Sequence, residues 1–176
     1  LDPAWPSERL QHMLGVVAPT VLITSGALRE RCPSGAHRLF DLDREQAEIA
    51  AQPATDPQLP IAPEQLCYLM FTSGSAGTPK CVMVTHGNLA GLFPPLTAIL
   101  DFGPGDVWTW FHSASFGFSV WELWGALLYG GRLVVVPYLV SRSPEAFYQL
   151  LCAEGVTVLN QTPSAFRQLI DAESVA

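Results

Sequence analysis

The sequence predicts an α/β protein, a mostly parallel sheet with helices on both faces. Three observations carry that prediction. Short apolar runs rich in β-branched residues alternate with segments whose apolar residues recur at helical spacing. In the last third of the chain three strand and helix pairs follow one another, which parallel strands with crossover helices require. Ser143-Pro144 and Thr162-Pro163 each place an N-cap residue before a proline at the first helical position.

The first element is a helix after Pro6, because Leu10, Met13, Leu14 and Val17 repeat at i, i+3, i+4, i+7. Thr20 to Thr24 is a compact β-rich run, and a second strand is expected from Arg38 to Leu42. Ala51 to Pro63, with Pro53, Pro57, Pro60 and Pro63, reads as an extended surface connection. Strands are expected at Leu66 to Phe71 and Val82 to Val84, joined by a small-residue loop. His86 to Leu100 looks helical, broken or kinked at Pro94-Pro95. The remaining pairs are strand Val107 to Phe111 with helix Ser119 to Tyr129, strand Leu133 to Val136 with helix Pro144 to Ala153, and strand Val156 to Asn160 with helix Pro163 to Asp171.

At 176 residues the length asks for one domain. The net charge of -7 and nine scattered basic residues argue against nucleic acid as a partner, since phosphate-backbone binding needs clustered Lys and Arg. Cys32, Cys67, Cys81 and Cys152 are too far apart for a zinc or disulfide framework, so reduced thiols in a cytoplasmic protein are expected. The start at Leu1 shows no signal pattern. The apolar run from Leu123 to Val140 is interrupted by Gly130, Gly131, Arg132 and Pro137, so no membrane span is expected.

Between the two middle strands, Ser73-Gly74-Ser75-Ala76-Gly77 offers backbone amides that no bulky side chain shields, as an anion cradle requires. Hydroxyls of Thr72, Ser73, Ser75 and Thr78 add donors, and Lys80, the single lysine of the chain, adds charge. The spacing is not that of a Walker A loop, because two residues rather than four separate Gly74 from Gly77 and Cys81 follows the lysine. Read alone, such a loop is also compatible with a plain Ser/Gly turn.

The stretch from Leu66 to Leu89 closely resembles the AMP-binding signature of adenylate-forming enzymes, whose loop runs T-S-G-[ST]-T-G-x-P-K-G. The segment Phe111-His112-Ser113-Ala114-Ser115-Phe116-Gly117-Phe118-Ser119-Val120-Trp121-Glu122 resembles the amino-acid pocket motif of nonribosomal peptide synthetase adenylation domains, and the opening residues resemble the segment upstream of the loop. The resemblance implies that residues 1–176 are a fragment of a single adenylation domain, from its N-terminal core region, without the C-terminal lid. It implies ATP and Mg²⁺ as cofactors, bound by Thr72, Ser73, Gly74, Ser75, Gly77, Thr78 and Lys80, with Lys80 catalytic. It implies an amino acid or related carboxylic acid as substrate, held by Phe116, Gly117, Phe118, Trp121 and Asn160, and a carrier-protein domain as acceptor. The set Phe118, Trp121, Asn160 resembles that of threonine-activating domains, which implies a small polar side chain.

Three positions depart from the family pattern. Ala76 stands for threonine and Cys81 for glycine, so a hydroxyl is lost and the turn after Lys80 is expected to be bulkier, weakening ATP binding. At Gly117 the family usually has an aspartate that pairs with the substrate's α-ammonium. Its absence leaves three readings: a substrate without an α-amino group, charge supplied by another residue, or an impaired or variant site. Phe118 and Trp121 are equally compatible with core packing, Glu122 with a structural carboxylate, and His112 with either a structural role or a place near the reacting carboxylate. An acyl or aryl-CoA ligase, a non-catalytic nucleotide-binding module and a folding or interaction fragment are the alternative functions.

Overall fold

Helix α1, Ser7–Val17, buries Leu10, Met13 and Leu14, the positions its apolar spacing predicts. It is the first element of a computed structural model that describes residues 1–72, 79–97 and 99–174. The helix ends on Ala18 in the left-handed region at φ 45°, where the Ala18 N–H bonds back to the Leu14 carbonyl. Contacts group the chain into two compact units, Leu1–Ile61 and Ala62–Ala176.

In the first unit, β1 (Val21–Thr24) pairs in parallel with β2 (Arg38–Asp41), register Val21 with Arg38 through Thr24 with Asp41. A 3-10 turn, Gly26–Arg31, lies between them and α2, Gln46–Ala50, follows. Neither short helix was expected from the sequence. Asp41 is fully buried, a costly place for a carboxylate unless it is paired. Its carboxylate faces Arg29 at 3.4 Å and Arg44 at 3.6 Å and accepts the Asp43 amide, while Arg44 and Glu45 donate to its carbonyl.

The second unit holds two further strand pairs. β3 (Leu66–Thr72) and β4 (Lys80–Thr85) are antiparallel, with a register shift between Leu66 and Tyr68. β4 runs into α3 (His86–Ala90) through a reciprocal cap: Thr85 Oγ1 accepts from the Asn88 amide, and Asn88 Oδ1 accepts from the Thr85 amide. The helix expected over 86–100 is indeed interrupted, resuming as α4 at Pro94–Thr97.

β5 (Val107–Trp110) and β6 (Arg132–Val135) are parallel and are joined by α5 (Phe118–Tyr129). A parallel pair needs such a crossover, so this is a strand-helix-strand unit. α5 stops on Gly130, left-handed at φ 72°. Gly125 allows the helix to approach β5, since a Cβ there would lie 2.3 Å from Trp108 ring carbons. After a 3-10 turn at Val140–Arg142 come α6 (Pro144–Glu154) and α7 (Pro163–Glu173), capped by Ser143 and Thr162 as the sequence predicts.

The class is α/β as expected, with two of three strand pairs parallel, but among the described residues the sheet consists of separate pairs. The strand expected at Val156 to Asn160 does not form; a single parallel bridge joins Trp108 and Val158. The cause is local competition for hydrogen bonds. Thr157 and Val158 amides both donate to the Val107 carbonyl, at 2.9 and 3.1 Å, and the Val107 amide donates to the Thr157 hydroxyl instead of a carbonyl. Thr157 in turn donates to Asp106, 2.7 Å away.

Candidate active site

The site predicted from sequence has two parts, both in the second unit. Thr72 and Lys80 are partners in the β3–β4 ladder and both are exposed, so a hydroxyl and an ammonium flank the segment that joins the strands. Lys80 makes no ion pair among the described residues. Ser73, Gly74, Ser75, Ala76, Gly77 and Thr78 lie outside the described residues. Cys81 corrects an expectation: it stands within β4 opposite Phe71, not in a turn after Lys80.

The hairpin is tied to the pocket helix through shared core. Leu89, Phe93 and Val120 of α5 form a buried cluster against which Cys67, Tyr68 and Met70 of β3 and Trp121, Trp124 and Tyr129 of α5 pack. Burial pushes the Tyr68 phenol above its ordinary range, with a smaller push from Cys67.

The second part sits where β5 ends and α5 begins. In open α/β sheets this carboxyl end of parallel strands is where ligands bind. Glu122, on the second turn of α5 and 1% exposed, reaches back to the strand end. Its Oε2 accepts from the backbone amides of Phe111 (3.2 Å) and His112 (3.1 Å), and its Oε1 lies 2.7 Å from His112 Nδ1. The His112 ring is flanked by Phe116 and Phe118, with centroids at 5.4 and 5.3 Å, and those two rings meet each other at 5.1 Å.

Gly117 lies between those phenylalanines in ordinary helical geometry, φ -53° and ψ -29°, so its backbone does not require glycine. A Cβ at this position meets nothing within 4 Å. A side chain is therefore missing from open space beside the ring group.

The structure brings Phe116, Gly117 and Phe118 together with the His112 and Glu122 pair. Trp121, partly buried, stacks its ring on Phe93 at 5.1 Å and meets Phe102 and Trp108, each at 5.5 Å. These contacts pack one side of the ring on the core and leave part of it accessible. Asn160 is two residues past the bridge at Val158, toward the same end as Phe111 and His112, and its Nδ2 is buried without a partner among the described residues. The neighbouring Gln161 Nε2 is likewise buried and unpartnered, a donor the sequence reading missed. Glu122 is the sole charged residue in the twelve residues of α5, and that isolation was the signal that it has a task.

The protein-family model described as AMP-binding enzyme matches residues 1–176. The chain belongs to this family. Among AMP-binding relatives, a dimodular nonribosomal peptide synthase from Bacillus subtilis (strain 168) is 46% identical over 181 residues, covering 98% of this chain. An isonitrile lipopeptide synthase from Mycobacterium tuberculosis is 46% identical over 162 residues, covering 92%. The chain spans 8% of the length of the first and 6% of the second. The nonribosomal peptide synthetase FmoA3 in its alpha-methyl-L-serine-AMP bound form superposes with a TM-score of 0.84 at 25% identity, over 99% of this chain and 19% of that one. No helix among the described residues is long and apolar enough to cross a membrane.

Proposed function

We propose that this chain forms part of an adenylation domain of a nonribosomal peptide synthetase, which uses ATP to activate an amino acid as its acyl-adenylate for loading on a carrier-protein domain in the cytoplasm. The observation that carries this reading is the pairing of two features in one unit. An exposed hydroxyl and ammonium, Thr72 and Lys80, flank the signature loop, and a ring-lined site stands at the carboxyl end of β5 on a helix sharing that hairpin's core. The FmoA3 complex with an aminoacyl-AMP supports it.

In this reading a substrate carboxylate oxygen attacks the α-phosphorus of ATP and pyrophosphate leaves. The residues' task is positioning and charge compensation. Thr72 and Lys80 suit the phosphate end, where the Lys80 ammonium offsets negative charge and the 73–78 amides would donate to phosphate oxygens. Mg²⁺ binds mainly through phosphate oxygens and water, so it would arrive with the nucleotide, and the Thr72 hydroxyl could add an oxygen donor. Phe116 and Phe118 would border the acid, with Asn160 presenting its unpaired amide to a small polar side chain.

A second reading has a specific observation behind it. Gly117 offers no carboxylate, and a buried ammonium without a partner costs several kcal/mol, roughly. An acid without an α-amino group, such as a hydroxy, keto or aryl acid, avoids that cost. Pyrophosphate exchange by the full-length enzyme containing this segment, against amino, hydroxy and aryl acids, tests both. Exchange with amino acids supports the first reading; exchange confined to acids without the amine supports the second; exchange with no acid defeats adenylation. Residues 1–176 by themselves are expected to show none.

A further inference from the structure

A carboxylate as buried as that of Glu122 needs donors, and among the described residues it has two backbone amides and the His112 ring. An ionised carboxylate only accepts, so His112 Nδ1 carries the hydrogen in this contact. In the neutral ring Nε2 is then an acceptor. That acceptor belongs to a ring wedged against Phe116 and Phe118, the two neighbours of Gly117, where the space for a side chain is empty. Among the described residues Glu122 is the one charged group paired with His112.

From this geometry we infer that the pair of His112 and Glu122 takes the place of a carboxylate at position 117. His112 Nε2 accepts a hydrogen bond from the substrate's α-ammonium, and Glu122 is a positioning residue that fixes the ring nitrogen as acceptor and places negative charge behind it. The inference rests on the amino-acid reading above and deepens it. Its chemistry is recognition only, and no proton needs to be transferred.

The proposal is tested by pyrophosphate exchange in the full-length enzyme, comparing the preferred amino acid with its α-hydroxy analogue in kcat/KM. Glu122→Gln is close in shape, but its amide nitrogen can donate to Nδ1, which would put the hydrogen on Nε2 and reverse its polarity. The expected result is a fall of at least about tenfold in the amino-over-hydroxy preference, with the KM for ATP unchanged, and a similar fall in His112→Phe. Gly117→Asp, added to His112→Phe, is expected to restore the preference, which a merely structural loss would not permit. An unchanged preference in Glu122→Gln, with thermal unfolding unshifted, overturns the proposal. So does an unmutated enzyme that favours the hydroxy acid, which leaves adenylation itself intact. Failure to exchange with any acid brings down the functional reading and this inference with it.

Discussion

The two strand pairs of the second unit are built on opposite economies. In β5, Trp108 is 1% exposed and its neighbour Thr109 equally buried; the Trp108 ring meets Phe102 and Trp121, and Gly125 of α5 sits against it. In β4 no residue is buried, and Met83 is 67% exposed. What fixes β4 is backbone pairing with β3 and the Thr85–Asn88 cap at its end. β5, at the proposed substrate end, thus stands on side-chain packing, whereas β4, at the proposed phosphate end, is held mainly by main-chain bonds to β3. Substitutions should distinguish the two sharply.

Trp108→Ala should be the most damaging, about 3–5 kcal/mol by urea unfolding, because it removes a large ring from a closed aromatic cluster. Gly125→Ala should follow at about 1–3 kcal/mol: the added methyl meets the same ring, and relief requires helix and strand to separate. If Gly125→Ala proves neutral, the close approach of α5 to β5 is not what organises this unit. Thr85→Ala should cost about 1 kcal/mol through loss of the cap, enough to move the thermal midpoint but not to disturb the pocket. Met83→Ser should stay within about 0.5 kcal/mol, in keeping with an exposed position held by its backbone. A large loss at Met83 would erase the contrast between the strands.

Much of this arrangement was legible in the sequence, for reasons that differ by element. Helices α1, α6 and α7 announced themselves through apolar spacing and, in the last two, through Ser143-Pro144 and Thr162-Pro163, because caps are written in adjacent residues. The strand expected at 156–160 failed because β-propensity does not encode where the partner's hydrogen bonds go. Here the Thr157 hydroxyl and two amides converging on the Val107 carbonyl displaced a regular ladder. The pocket motif holds Phe116, Gly117 and Phe118 in adjacent positions, yet the contact of His112 with Glu122 spans ten positions, and no periodicity reports it. Trp121 packs partly on the core, a contact that the motif alone does not report either.

The empty space at Gly117 has an evolutionary side. One base change turns a glycine codon into an aspartate or a glutamate codon, and neither the helical backbone nor an atom within 4 Å of the new Cβ stands in the way of an acidic side chain. Charge at this position can be lost and regained over generations without a compensating change in the scaffold. On the proposed reading of this site, a lineage carrying this segment would be free to drift between acids of different polarity, one point mutation at a time.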